Sequence, residues 1–360
     1  MKASIASLVL TFVRSPGTRT CVKQVGGIVL AACFAAPAAR AQYKSINPQV
    51  SRIVSEVSAE RITATLEKLE GFGTRDLRSS QDEPNRGIGA ARRWIYEQFQ
   101  SYSPRLQVSY DQYRVRKDPS RGSRIPQDVD VYNVVAVLKI EAVLNSDIIG
   151  SELGGDGRTA NRTVNVFSED PMDSPSREIA RYVKEIGERY VPSMTVDPIF
   201  RADRFGRDGD QRSFYLEGFG AVRFSSPVEN FANEHSATDT FAGTSPGLIT
   251  RVTQVNGAVA ASLAWAPKSP KASEVLDFNG LKLTIGLLTR GKSGYDALLK
   301  WKDPNPEPDL AGYVVLRRRT TAPFWEQDIY VGNVKEFAMP NVAMSRITLV
   351  LKRAVTLTYI

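Results

Sequence analysis

The 360-residue chain has one histidine, His235, and two cysteines, Cys21 and Cys33, both near the N-terminus. Imidazole and thiolate are the side chains that most often act as base, nucleophile or metal ligand near neutral pH. Their scarcity excludes a site built on several His or Cys residues. Catalysis here has to use His235, rely on carboxylates, or be absent. Two other routes are also missing. Ser225-Ser226 lacks the Gly-x-Ser-x-Gly turn of a serine hydrolase and a second catalytic partner. Gly154-Gly155-Asp156-Gly157 is followed by no Lys-Ser/Thr pair, so it reads as a tight turn and not as a phosphate cradle. What is present is a spacing: in Asn233-Glu234-His235-Ser236-Ala237-Thr238-Asp239-Thr240 an Asp follows the lone His by four residues.

No acidic residue precedes Ala41, whereas Lys2, Arg14, Arg19 and Lys23 are basic. Gly26 to Ala39 is apolar but too short for a membrane span of about 20 residues. Ala39-Arg40-Ala41 is a small-x-small cleavage site before Gln42. These features predict a signal peptide over residues 1–41 and an exported protein, periplasmic or extracellular. Leu30-Ala31-Ala32-Cys33 keeps a rival reading open, a lipoprotein with a lipid anchor at Cys33; a buried helix of the fold is a third. Cleavage after Ala41 removes five of the 47 basic residues and no acid, so the net charge falls from +8 to +3. It also removes both Cys, leaving no disulfide. Arg317-Arg318-Arg319 follows the apolar Tyr313-Val314-Val315-Leu316 and is expected to be a solvated strand end. No nucleic-acid partner is therefore expected.

Apolar spacing predicts a helix over Ser58–Leu69, capped by Ser58 and stopped at Gly71, with Ile62, Leu66 and Leu69 on one face. A second runs through Ala91, Trp94, Ile95, Phe99 and Tyr102 and ends before Pro104. Ser174-Pro175 opens a third, with Ile179, Tyr182, Val183, Ile186 and Tyr190 on one side; Ser245-Pro246 opens a fourth, with Leu248, Val252, Val255 and Val259 inward. Strands are expected at Leu106–Tyr113, Tyr132–Leu138, Arg162–Phe167 and Ala221–Phe224. Ala142-Val143-Leu144 with Ile148-Ile149 reads as another. This alternation indicates an α/β layer fold. Pro267 to Lys271 is a natural linker. Beyond it Leu281–Leu287, Ala297–Trp301, Tyr313–Leu316, Asp328–Val331 and Ile347–Leu351 have the spacing of a small β-sandwich. Trp301 followed by Pro308-Asp309-Leu310-Ala311-Gly312-Tyr313 resembles a fibronectin type III-like domain, which the stretch Val342 to Ile360 fits poorly.

Several segments, taken in order, resemble the secreted di-zinc aminopeptidases, the family of leucyl aminopeptidase and glutamate carboxypeptidase-like exopeptidases. They are Gly71-Phe72-Gly73-Thr74-Arg75, Arg86 to Ile95, Asn133-Val134-Val135-Ala136, Asn145-Ser146-Asp147-Ile148-Ile149-Gly150, Phe205 to Phe214, and His235 to Thr240. The resemblance covers roughly residues 55–266. It implies peptide-bond hydrolysis with zinc as cofactor and a peptide as substrate. It implies that Asp147 and His235 are terminal zinc ligands. Asp210 falls in the family's Ser-Asp-His-type motif, with Gln211 where a His often stands, and Asp239 in its His-x-x-x-Asp-Thr loop.

The same resemblance implies an internal loss. In the family roughly a hundred residues separate the Asn-Val-Val-Ala strand from the Asp-Ile-Ile-Gly strand. They carry a His-x-Asp ligand motif and a Glu-Glu pair, one Glu being the general base. Here Leu138 and Ala142 are four positions apart, with no turn residue among Lys139, Ile140 and Glu141. A two-metal centre needs a bridging carboxylate, several terminal ligands and a proton-transfer group. Asp147 and His235 alone do not supply these. Asp156, Glu169, Asp208 and Asp210 are free of any ligand-like spacing. Without the resemblance, Asp147 reads as the cap of the turn into Gly150 and His235 as a solvent-facing loop residue.

The expected organisation is a signal peptide (1–41), a truncated exopeptidase-like α/β core with a mixed sheet flanked by helices (42–266), a linker (267–271) and a small all-β sandwich (272–360). The expected function is that of an exported metallopeptidase relative, inactive or severely impaired, with no catalytic residue assigned. The alternatives are a non-catalytic exported binding or scaffold protein, and a gene product damaged by internal deletion.

Overall fold

The computed structural model describes residues 46–117, 127–137, 142–169, 174–202, 209–234, 236–266, 270, 273–278, 281–286, 288–293, 295–302, 310–342 and 347–355. The signal region with Cys33, the junction at 138–141 and His235 lie outside them, as does all of the linker except Pro270.

Helix α1 (Pro48–Ser55) begins where the Asn47 side chain accepts the Gln49 N–H at 2.8 Å. Helix α2 (Ala59–Gly71) begins at Ser58, whose hydroxyl accepts the Arg61 N–H at 3.2 Å. This is the cap read from the sequence, and it satisfies one orphan donor of the first turn. Ile62, Leu66 and Leu69 do share a face, but each is only half-buried. Helix α3 (Gly87–Tyr102) stops before Pro104. It lies on one face of an antiparallel ribbon of β1 (Gln107–Val115) and β2 (Val129–Val137). The Tyr96 and Tyr110 rings stack at 4.8 Å, and the Arg92 guanidinium lies 3.8 Å from the Tyr132 ring centre. Among the described strands the ribbon pairs with no other sheet.

The main sheet has four strands, β3 (Val143–Ser146), β4 (Thr163–Phe167), β5 (Thr195–Ile199) and β6 (Ala221–Ser225), in the order β3-β6-β4-β5. It is mixed: β3 and β6 are parallel, β4 and β5 are parallel, and β4 runs against β6. Its two faces differ because side chains alternate along a strand. Val164, Val166, Val196, Val222 and Phe224 join a core with α4 (Pro175–Tyr190) and α6 (Pro246–Ala264). From the helices come Ala180, Val183 and Ile186, and Leu248, Val252, Val255 and Val259. Each buried Val, Leu or Ile side chain among them contributes roughly 1.5–3 kcal/mol. The opposite face carries Asn145, Asn165, Asp197, Arg223 and Ser225. A short helix, α5 (Gln211–Leu216), meets it at β3 and β6. Sequence spacing did not indicate α5, which is too short to show a period.

Beyond the linker, β7 (Ser273–Phe278) and β8 (Leu281–Gly286) form a hairpin. Strands β9 (Leu288–Arg290), β10 (Ala297–Lys300) and β13 (Glu336–Met339) make one three-stranded sheet. Strands β11 (Leu310–Arg319), β12 (Gln327–Gly332) and β14 (Ile347–Val355) make another. Ala297, Leu299 and Trp301 meet Tyr313, Val315 and Met339 between the sheets. The Trp301 and Tyr313 rings touch edge-on at 5.1 Å, giving a small sandwich core. One expectation fails here: Arg318 is not a solvated strand end but is 0% exposed. The turn after β11 folds back over it, so its Nη1 donates to the carbonyls of Arg319, Thr320 and Ala322, and its guanidinium lies 5.4 Å from the Trp325 ring centre.

Candidate metal centre at the ends of β3 and β6

The parallel pair β3–β6 stays zipped to its end. The Asp147 N–H donates to the Phe224 carbonyl at 3.0 Å, and the Ser226 N–H donates to the Ile148 carbonyl at 2.8 Å. Between these bonds Ile148 has φ of +57°, a left-handed conformation that a β-branched residue adopts only under strain. That turn ends β3 at Ser146, so Ile148-Ile149 does not extend the strand. It also brings Asp147 over Arg223, with Nε and Oδ2 3.1 Å apart. The Arg223 side chain is 3% exposed and that of Asp147 39%. Beside them Asn145 Nδ2 donates to Gln211 Oε1 at 3.1 Å. Gln211 is buried, so the position where the resembling family often has a His is held here by a structural amide. Gly209 closes the site. A Cβ there would stand 2.6 Å from Gln211 Oε1, 2.7 Å from Asn145 Nδ2 and 2.9 Å from Asp147 Oδ2.

Asp210 sits at the start of α5 but makes no capping hydrogen bond with its side chain. Asp239 is exposed, and its N–H donates to the Ser236 carbonyl at 3.2 Å. The loop that holds it is tied at two places. The Phe241 N–H donates to Glu70 Oε1 at 2.8 Å, and the Ser245 N–H donates to the Gly150 carbonyl at 2.7 Å. The second tie returns the loop to the segment that follows Asp147. Asp156 belongs elsewhere, in the Gly154–Arg158 turn, where the N–H and guanidinium of Arg158 hold its carboxyl below the usual range. Asp208 lies outside the described residues. The sequence reading missed Arg223, Asn145 and Glu70. A lone charge inside Val222-Arg223-Phe224 was the available signal for Arg223.

The donor set does not fit a two-metal centre. The whole chain has one imidazole, and Asp147 already shares an oxygen with Arg223. Among the described residues, which do not include His235, no three His, Cys, Asp or Glu side chains converge, so this says nothing of a site that uses it. None of the described helices is long and apolar enough to cross a membrane.

No family model matches the chain. Individual relatives do. A protein of Pyricularia oryzae named "Probable zinc metalloprotease" is 30% identical over 407 aligned positions, covering 80% of this chain and 78% of its own length. The chain belongs to the zinc metalloprotease family. Relatives named in the same way from Leptosphaeria maculans and from Pyrenophora teres f. teres are each 27% identical, covering 81% of this chain and 91% and 81% of their own. The aligned span also carries structural information. At 407 positions it exceeds the 360 residues of the chain, of which only 80% take part. More than a hundred positions of the Pyricularia member therefore have no counterpart here.

Proposed function

We propose that the chain is an exported, aminopeptidase-type member of the zinc metalloprotease family whose hydrolytic centre is incomplete, and that it hydrolyses peptide bonds very slowly or not at all. The observation that carries this reading is the shortfall of more than a hundred positions against a relative that aligns over most of its length. We place that shortfall at Leu138–Ala142, the five residues of sequence that separate β2 from β3. The block expected there would bring the bridging carboxylate and the general base. A single His cannot replace the ligands lost with it. Asp147 and His235 are then remnants of two terminal ligands, and Asp210 and Asp239 are their loop neighbours. The C-terminal sandwich is of fibronectin type III-like character, a reading supported by the Trp301–Tyr313 contact at its core.

The test is hydrolysis of an aminoacyl chromogenic substrate by the purified chain, with and without added zinc, alongside metal analysis. We expect no zinc retained at micromolar concentration and no turnover above an Asp147→Ala/His235→Ala control. Turnover abolished by a chelator sinks the proposal. Sequencing of the locus across Leu138–Ala142 separates a true family variant, with an intact frame, from a damaged copy.

A further inference from the structure

We infer that the C-terminal sandwich is a fixed partner of the α/β unit, clamped at the end of the main sheet away from Asp147, and not a hinged arm. The clamp is built on the first turns of α4. Arg177, Glu178 and Arg181 are all buried there, although a helix of this kind normally keeps charges in water. Glu178 and Arg181 pair within the helix. The Arg181 guanidinium is completed from the other unit: its Nε donates to the Pro323 carbonyl at 2.6 Å. Its charge also lies 5.0 Å from the Phe200 ring centre and 5.8 Å from that of Trp325. Phe200 and Phe324 meet across the same boundary at 5.7 Å. The guanidinium of the buried Arg318 of β11 also lies against the Trp325 ring, 5.4 Å from its centre. A desolvated cation is costly unless its donors and its charge are met. The turn Pro323-Phe324-Trp325 meets part of that need, which makes undocking of the sandwich unfavourable.

The strand register decides which end is clamped. Asp147 follows Ser146, which pairs with Phe224 near the carboxyl end of β6. The start of α4 lies at the other end, where Ser176 Oγ accepts the Ala221 N–H at 3.1 Å. β5 runs against β6 through β4, so Phe200 emerges at that end too. Ala221 and Ser225 are about 13 Å apart along the strand. The sandwich therefore meets the sheet at the end opposite Asp147 and is not a lid over it.

Hydrogen exchange on the intact chain, read by mass spectrometry, tests this. Phe324 and Trp325 lie on the sandwich side of the joint and outside the Trp301–Tyr313 core. In Phe324→Ala/Trp325→Ala the amides of 174–182 are expected to exchange about tenfold faster while β10 and β13 keep their protection. The reciprocal variant Phe200→Ala is expected to accelerate exchange in 320–326. If each variant changes exchange only on its own side, or neither changes it, the sandwich is an independent arm and the inference is overturned. Collapse of one variant leaves the other to decide. The outcome is independent of whether the chain hydrolyses peptides.

Discussion

At Asp147 a half-buried carboxylate meets a guanidinium that has almost no contact with water. The two sides of such a pair respond differently to mutation. Arg223→Met removes a cation from a site organised around it and is expected to cost about 3 kcal/mol, including lost packing. Asp147→Asn keeps the shape and a hydrogen-bonding group and is expected to cost about 1 kcal/mol. Urea denaturation of both single variants and the double variant should give a coupling of about 1 kcal/mol; strict additivity would mean the two groups do not interact. Gly209→Ala drives a methyl into Asn145, Gln211 and Asp147 and should cost about 1–3 kcal/mol in the same assay. Away from this site, the side chain and N–H of Arg78 hold the Asp76 carboxyl down to about 2. A lowered carboxyl contributes stability that is present above its ordinary value of 3.8 and lost as pH falls through about 2. The pair is exposed and screened by salt, so the contribution is small. The shift itself should appear in a carboxyl NMR titration, and a midpoint near 4 would refute it.

Helix starts were legible in the sequence because capping is local. Ser58, Ser174 and Ser245 each precede a periodic apolar stretch, and each accepts an N–H from the first turn. Ser174 is buried and also donates to the Glu169 carbonyl at 2.9 Å. Ser174→Ala should lower stability by about 1–2 kcal/mol by thermal or urea unfolding, whereas a change within a few tenths would show that the cap is dispensable. Two short elements were not legible. Helix α5, with six residues, and strand β13, with four, carry too few side chains to show a period. The extent of β3 was misread for another reason. Ile148-Ile149 looks like more strand, but tertiary pairing with Phe224 and Ser226 forces Ile148 to a positive φ.

For the whole molecule, the described strands of the N-terminal part fall into two separate sheets. The β1–β2 ribbon is held by α3 and its aromatic contacts, while β3 joins a separate four-stranded sheet. Folding then rests on the α4–α6 core, the sandwich core and the joint between them. If no metal contributes, a chelator should leave the unfolding midpoint within about 1–2 °C. A saturating ligand at a hundred times its Kd would add about 2.7 kcal/mol and move the midpoint well beyond that.

From composition and spacing alone came the α/β-then-β order, most helices and their inward faces, and the poverty of ligands that argues against a complete zinc centre. These are local or additive properties: a cap reads three residues, a helix face reads every third or fourth, and a histidine count needs no fold. The tertiary structure decided which charges are buried and what answers them. Arg223 finds Asp147 76 positions away in the chain, Arg181 finds Pro323 at 142 positions, and Arg318 is hidden by the turn that follows it. A guanidinium looks solvated in any sequence window, because the partner that allows it to leave water is brought there by strand pairing and helix packing and not by its neighbours in the chain.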